Sequence, residues 1–191
     1  MKRYILSAIL LVVALTLNAQ DNNHRYGIKS GIIHEYSKLN EHITPDVRYF
    51  DHYGELEAMV QTIDMGGLGS FENTTVTKKE KAWVFNAASK PKVFDNPTAD
   101  LTFINPSQEV IDKYKLVDTG EDEEVLGRIC RKFTYETLMG RRNKVINNTA
   151  WVYQGIVLKS LMKNGRQETI YEVTDFQENV EVPAEIFVIP E

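Results

Sequence analysis

Cysteine is nearly absent. Cys130 is the only one in 191 residues, so no internal disulfide forms and stability must come from a packed core. A chain of this length buries enough apolar surface to supply one. Long apolar runs are missing after residue 17, so nothing beyond it reads as a membrane-spanning helix. No Cys follows that first run, which excludes lipid attachment of the kind lipoproteins carry there. Excess positive charge is missing too. The formal net charge is −5, which argues against general nucleic-acid binding, where clustered cations supply most of the affinity. No Gly-x-Ser-x-Gly elbow is present, no Lys-Ser/Thr pair completes Gly66-Gly67-Leu68-Gly69 into a phosphate loop, and no two His lie one helical turn apart. The commonest enzyme signatures therefore lack their anchors, and the chain does not read as an enzyme. No internal repeat or low-complexity linker divides it.

What is present begins with an ordered N-terminus. Lys2 and Arg3 precede an apolar run from Ile5 to Leu17, and Ala19 follows as a small residue. That order predicts a secretory signal over residues 1–19, cleaved on export. The run is shorter than the roughly 20 residues a bilayer span needs. The remainder, residues 20–191, is expected to form one domain, with 20 basic against 27 acidic residues.

That remainder alternates. Short apolar-polar runs bounded by turn residues predict antiparallel β structure. Tyr26 to Tyr36 is the first run, with Tyr26, Ile28, Ile32 and Tyr36 on one face and Lys29 and Glu35 on the other. Val47 to Tyr53 and Leu56 to Ile63 follow, turning at Tyr53-Gly54-Glu55, and Met65 to Gly69 reads as a glycine-rich loop. Thr74 to Lys78 and Lys81 to Asn86 read as a hairpin. In the last third, Arg128 to Leu138 alternates, with Ile129, Phe133 and Tyr135 on one face. Ala150 to Tyr153 pairs with Ile156 to Met162, and Asn164-Gly165 turns into Glu168 to Phe176. Consecutive hairpins imply one sheet, strongly curved or partly closed. One helix interrupts the pattern. Asn105 as cap, Pro106 at the first position and Gln108 three residues on predict it over Pro106 to Lys115. Glu121 to Glu124 reads as an acidic loop after it.

Few residues suggest chemistry. His24, His34, His42 and His52 lack metal-ligand spacing and read as surface and turn residues. Cys130 has no His near it in sequence and reads as a buried, inert thiol. No cofactor is called for. Arg141-Arg142-Asn143-Lys144 reads as an exposed basic turn, with anionic lipid heads or an acidic partner as the other readings. The aromatic residues are the most suggestive set. Tyr49, Phe50, Tyr53, Trp83, Phe85, Trp151 and Phe176 are spread over several strands, where they either line a cavity inside a curved sheet or fill a closed core.

Three stretches carry a family resemblance: Glu124 to Phe133 (EVLGRICRKF), Trp151 to Lys159 (WVYQGIVLK) and Ala184 to Pro190 (AEIFVIP). In order and character they resemble the bacterial outer-membrane lipoprotein-sorting family, which includes the periplasmic lipoprotein carriers. Tyr49 to Gly54 (YFDHYG) is similar to a segment of Bacteroidetes-type members. The resemblance implies a half-open antiparallel β-barrel with short helices at its concave side. It also implies a periplasmic location and a lipid or lipoprotein acyl chain as partner, with other envelope proteins as further partners. Tyr49, Phe50, Met59, Trp83, Phe85, Trp151, Leu158 and Phe176 are then the expected cavity-lining residues. The alternative is a non-catalytic structural or interaction protein of the envelope with a filled core. The chain departs from the carriers in lacking a helix before its first strand, since Asn22-Asn23-His24-Arg25 leads directly into β structure.

Overall fold

The computed structural model describes residues 24–140 and 143–191, so the expected signal segment and Arg141-Arg142 lie outside the described residues. Eleven strands form one antiparallel sheet that curls without closing, a half-open barrel. In chain order they are β1 (Gly31–Leu39), β2 (His42–Asp51), β3 (Leu56–Asp64), β4 (Ser70–Lys78), β5 (Lys81–Asn86) and β6 (Ser89–Asp95). After a helix, α1 (Gln108–Tyr114), come β7 (Val117–Val125), β8 (Arg128–Met139), β9 (Lys144–Tyr153), β10 (Ile156–Asn164) and β11 (Gln167–Glu178). Two meanders join in the middle, where β1 pairs with β11, giving the order β6-β5-β4-β3-β2-β1-β11-β10-β9-β8-β7.

Register defines the faces, because residues directly opposite in antiparallel strands project to the same side. Ile33 pairs with Arg48 and Phe176, and Arg48 with Met59, so these four share one face. That face is concave. The Arg48 Nη2 on β2 donates to the Val157 carbonyl on β10 at 3.2 Å. Two strands lie between them, a flat separation of about 14 Å. One side chain bridges it only because the sheet bends inward.

The concave layer has two parts. Phe50, Ile33, Val173, Phe176 and Leu158 pack with Tyr26 and Ile28 from the segment before β1. Phe133, Ala150 and Val152 pack under Leu101, Val110, Tyr114 and Leu116. The connection carrying that second group has a topological reason to cross the hollow. It joins β6 to β7, the two free edges of the sheet, and residues 96–116 make that link by packing over the concave side. A third cluster lies on the convex face. There Ala58 and Val76 are covered by Phe187 from the closing 3-10 turn Ala184–Phe187.

Several sequence expectations shift. Tyr26 and Ile28 precede β1 rather than belonging to it. Within β1 it is Ile33 and Glu35 that point inward, because Arg48 neutralises Glu35 at 2.8 Å and lets a carboxylate face the interior. Helix α1 starts two residues later than expected. Ser107, not Asn105, is its cap, since the Ser107 hydroxyl accepts from the Val110 amide at 3.3 Å. Asn105 instead has φ +45°, outside a cap's extended conformation. Glu121 to Glu124 is strand, not loop. Its charges are balanced by cations on β8 and β10: Lys132 with Glu121, Arg131 with Asp122 and Lys159 with Glu123. Ile129 shares parity with Phe133 yet is exposed, because it lies at the strand's start, beyond the covering segment.

Candidate functional site

The concave hollow has a polar centre between apolar walls. Glu35 on β1, Asp46 and Arg48 on β2, and Glu57 on β3 all face inward by register. Arg25 reaches Glu57 at 2.8 Å, and the Tyr26 hydroxyl donates to the same carboxylate. Burial, with the Glu57 charge beside it, pushes the Tyr26 phenol up to about 12. Burial alone would lower the Arg48 pKa, but Glu35, Tyr26 and Glu57 more than reverse this, so Arg48 stays charged. Asp46 is 3% exposed, and burial raises its pKa against the opposing pull of a Gln61 hydrogen bond. Its Oδ1 and the Nε of Arg48 have no hydrogen-bond partner.

The covering segment seals one side of this centre. Phe103 sits 5.2 Å from the Phe133 ring and 5.6 Å from that of Tyr135. The segment is pinned by Asp100, which accepts from Lys113 at 2.8 Å and from the Tyr114 hydroxyl at 2.6 Å. Beneath it a cavity of about 170 Å³ remains, reached by Arg25, Arg48, Phe103, Tyr135 and Thr137. Burial, then the nearby Tyr171, pushes the Tyr135 phenol up to about 12. The concave face of β3 to β5 is different. Met59, Gln61, Thr75, Thr77 and Val84 are half-buried and lie outside the covered cluster. A second cleft of about 620 Å³ lies beside the β4–β5 turn and is lined mostly by charged groups, including Lys79, Glu80 and Asp100.

The eight expected lining residues divide between two faces. Phe50, Met59, Leu158 and Phe176 belong to the concave side. Tyr49 pairs with Ala58, and Trp83 and Phe85 pair with Val76 and Thr74, which puts these three on the convex side. Trp151 is also convex, between Lys132 and Lys159, whose ammonium groups lie 5.9 and 4.5 Å from its ring. Cys130 is buried and free, and burial pushes its thiol up to about 11, far from a reactive thiolate at neutral pH. Among the described residues no three His, Cys, Asp or Glu side chains converge as a metal site would require. Sequence reading missed the charged centre. The only signal for it was Glu35 and Arg48 in otherwise apolar alternating runs.

No family model matches the chain, and no curated protein matches it in sequence. Solved structures do match in shape. An uncharacterised conserved protein from Thermus thermophilus has a TM-score of 0.54 at 10% identity, covering 94% of this chain and 95% of that one. The MucA/MucB complex from Pseudomonas aeruginosa gives 0.50 at 12% identity, covering 83% of this chain and 55% of that one. An outer membrane lipoprotein-sorting protein domain from Vibrio parahaemolyticus gives 0.42 at 11%, covering 86% and 91%. At these identities the likeness is one of fold, and it rests on the first two.

Proposed function

We propose that this chain is a periplasmic binding module, related in fold and descent to the lipoprotein-sorting proteins. Its concave side takes a lipid or a lipoprotein acyl chain when residues 96–116 lift. The supporting observation is the apolar layer beneath that segment. Leu101, Phe103, Val110 and Leu116 occupy, against Phe133, Ala150 and Val152, the space an acyl chain would fill. Removing such a chain from water contributes about 0.8 kcal/mol per methylene, enough to displace covering side chains without any catalytic group. The test is native mass spectrometry of protein from its own host, before and after organic extraction, together with titration of fluorescent fatty-acid probes. Binding should strengthen in Phe103→Ala, which enlarges the 170 Å³ cavity. If no lipid mass appears and no probe binds in either form, the lipid reading is lost.

A second reading has its own support. A cavity of about 170 Å³ is smaller than the roughly 300–1,000 Å³ of ordinary ligand pockets. The filled interior therefore also suits an envelope interaction protein, and one fold neighbour is itself a protein complex. Absent lipid with retained capture of an envelope protein by the folded chain would favour it.

A further inference from the structure

The two ends of the half-barrel differ in a way the binding reading does not use. At one end lie the tips of the β1–β2, β3–β4, β5–β6, β8–β9 and β10–β11 hairpins. Three of these tips, β1–β2, β3–β4 and β8–β9, expose large apolar side chains: Leu39 (40%), Ile43 (56%), Met65 (51%), Leu68 (84%), Leu138 (59%) and Val145 (47%). The opposite end has fewer: Leu126 (42%) and Ile129 (63%) at the β7–β8 turn, and Phe94 (51%), which pairs with Ala82 beside the β4–β5 turn. An apolar side chain on one turn is ordinary, whereas six of them on three turns at a single end are a surface feature.

Charge accompanies these side chains. Lys144, Lys163 and Arg166 are exposed on neighbouring tips, and the Lys144 ammonium lies 3.9 Å from where a Cβ on Gly165 would be. Glu168, 3.2 Å from Lys163, is the acidic group among them. Glu41 and Asp64 lie on the β1–β2 and β3–β4 tips, with Lys38 beside the former. The chain as a whole is acidic, so this cationic group beside apolar tips is a local exception.

We infer that this end docks on a lipid surface carrying anionic headgroups. The chemistry favours a bilayer over a protein partner. The apolar side chains sit in pairs on three separate turns, as interfacial anchors do, and the cations stand on the β8–β9 and β10–β11 tips beside them, at the level headgroups would occupy. A net acidic chain meets such a surface favourably only through this end, which also fixes its orientation.

The test is sedimentation of the chain from Gln20 onward, which keeps every described residue. It is mixed with phosphatidylcholine vesicles with and without one third phosphatidylglycerol. Binding should require phosphatidylglycerol and weaken in high salt. A basic residue near an anionic surface is worth about fivefold in affinity. The triple variant Lys144→Glu, Lys163→Glu, Arg166→Glu should therefore lose at least about a hundredfold, and its Gln counterpart less. Ile43→Ser, Met65→Ser and Leu68→Ser together should also reduce binding, with circular dichroism and melting unchanged. The inference is overturned if the native chain ignores phosphatidylglycerol vesicles, or binds both kinds equally. It is also overturned if folded variants bind like the parent, or if the tips instead mediate self-association in solution. Lipid uptake, measured separately, decides the binding reading whichever way docking turns out.

Discussion

The two ends of this half-barrel are built from the same kind of hairpin, yet one is a core and the other a surface. At the plugged end the segment before β1 lies across the strand ends. Gly27 donates to the Gln154 carbonyl at 2.8 Å, Tyr53 to that of Lys29 at 2.9 Å, and Asn179 to that of Ser30 at 2.8 Å. Tyr26 then meets Phe50 edge-on at 5.1 Å, and Arg128 lies over Phe176 at 5.0 Å. At the open end, among the described residues, only Pro190 and Glu191 come near the β3–β4 and β5–β6 tips, and elsewhere on it the same residue types face solvent. The difference teaches that burial here is set by what covers a turn, not by how apolar the turn is.

Substitutions should separate the two ends sharply. The largest loss is expected from Phe50→Ala, which empties a fully buried site between Tyr26 and Phe176; about 3–5 kcal/mol should appear in denaturant titration. Arg48→Met should cost a similar ~3–5 kcal/mol by stranding Glu35 in the interior, and Arg48→Met with Glu35→Leu should recover most of it. A double that stays as unstable as the single would show that packing, not charge, governs the centre. Gly54→Ala comes next. Gly54 has φ +87°, and a Cβ there would lie 2.6 Å from the Tyr26 ring, so roughly 1–3 kcal/mol of strain should loosen the plug.

Asp46 gives a smaller and pH-dependent effect. Its folded pKa is raised by burial above the usual 3.8, so the folded state holds the proton more tightly than the unfolded one. Below both values the group contributes nothing, and stability falls as pH rises through the window above 3.8. Asp46→Asn should therefore raise Tm at neutral pH by roughly 2–4 °C, the shift about 1 kcal/mol gives in a domain of this size, and the gain should vanish in acid. An equal gain at every pH would point to packing instead. The smallest effect belongs to the open end, where Leu68→Ser should change stability by less than about 0.5 kcal/mol.

Much of the architecture was legible beforehand. Turn residues at Gly54, Gly66 to Gly69, Gln154-Gly155 and Gly165 mark four of the nine hairpins. Alternation in β8 identified Phe133 and Tyr135 as partners on one face. The acidic strand β7 was hidden because Glu and Asp are poor strand formers in isolation, and Lys132, Arg131 and Lys159 offset them only once paired. The aromatic set gave strand positions but not sides. Tyr49 and Phe50 are adjacent, so they necessarily point opposite ways, and nothing local says which is inward.

By itself the sequence determined an antiparallel β chain with one capped helix, since period-two patterning and turn chemistry act over a few residues. Only the tertiary structure decided which face became concave, that β1 would join β11, and that Arg48 and Glu35 would meet inside. Alternation tells which side chains share a face. It carries no sign for the direction in which a sheet curls, because that depends on covering segments distant along the chain.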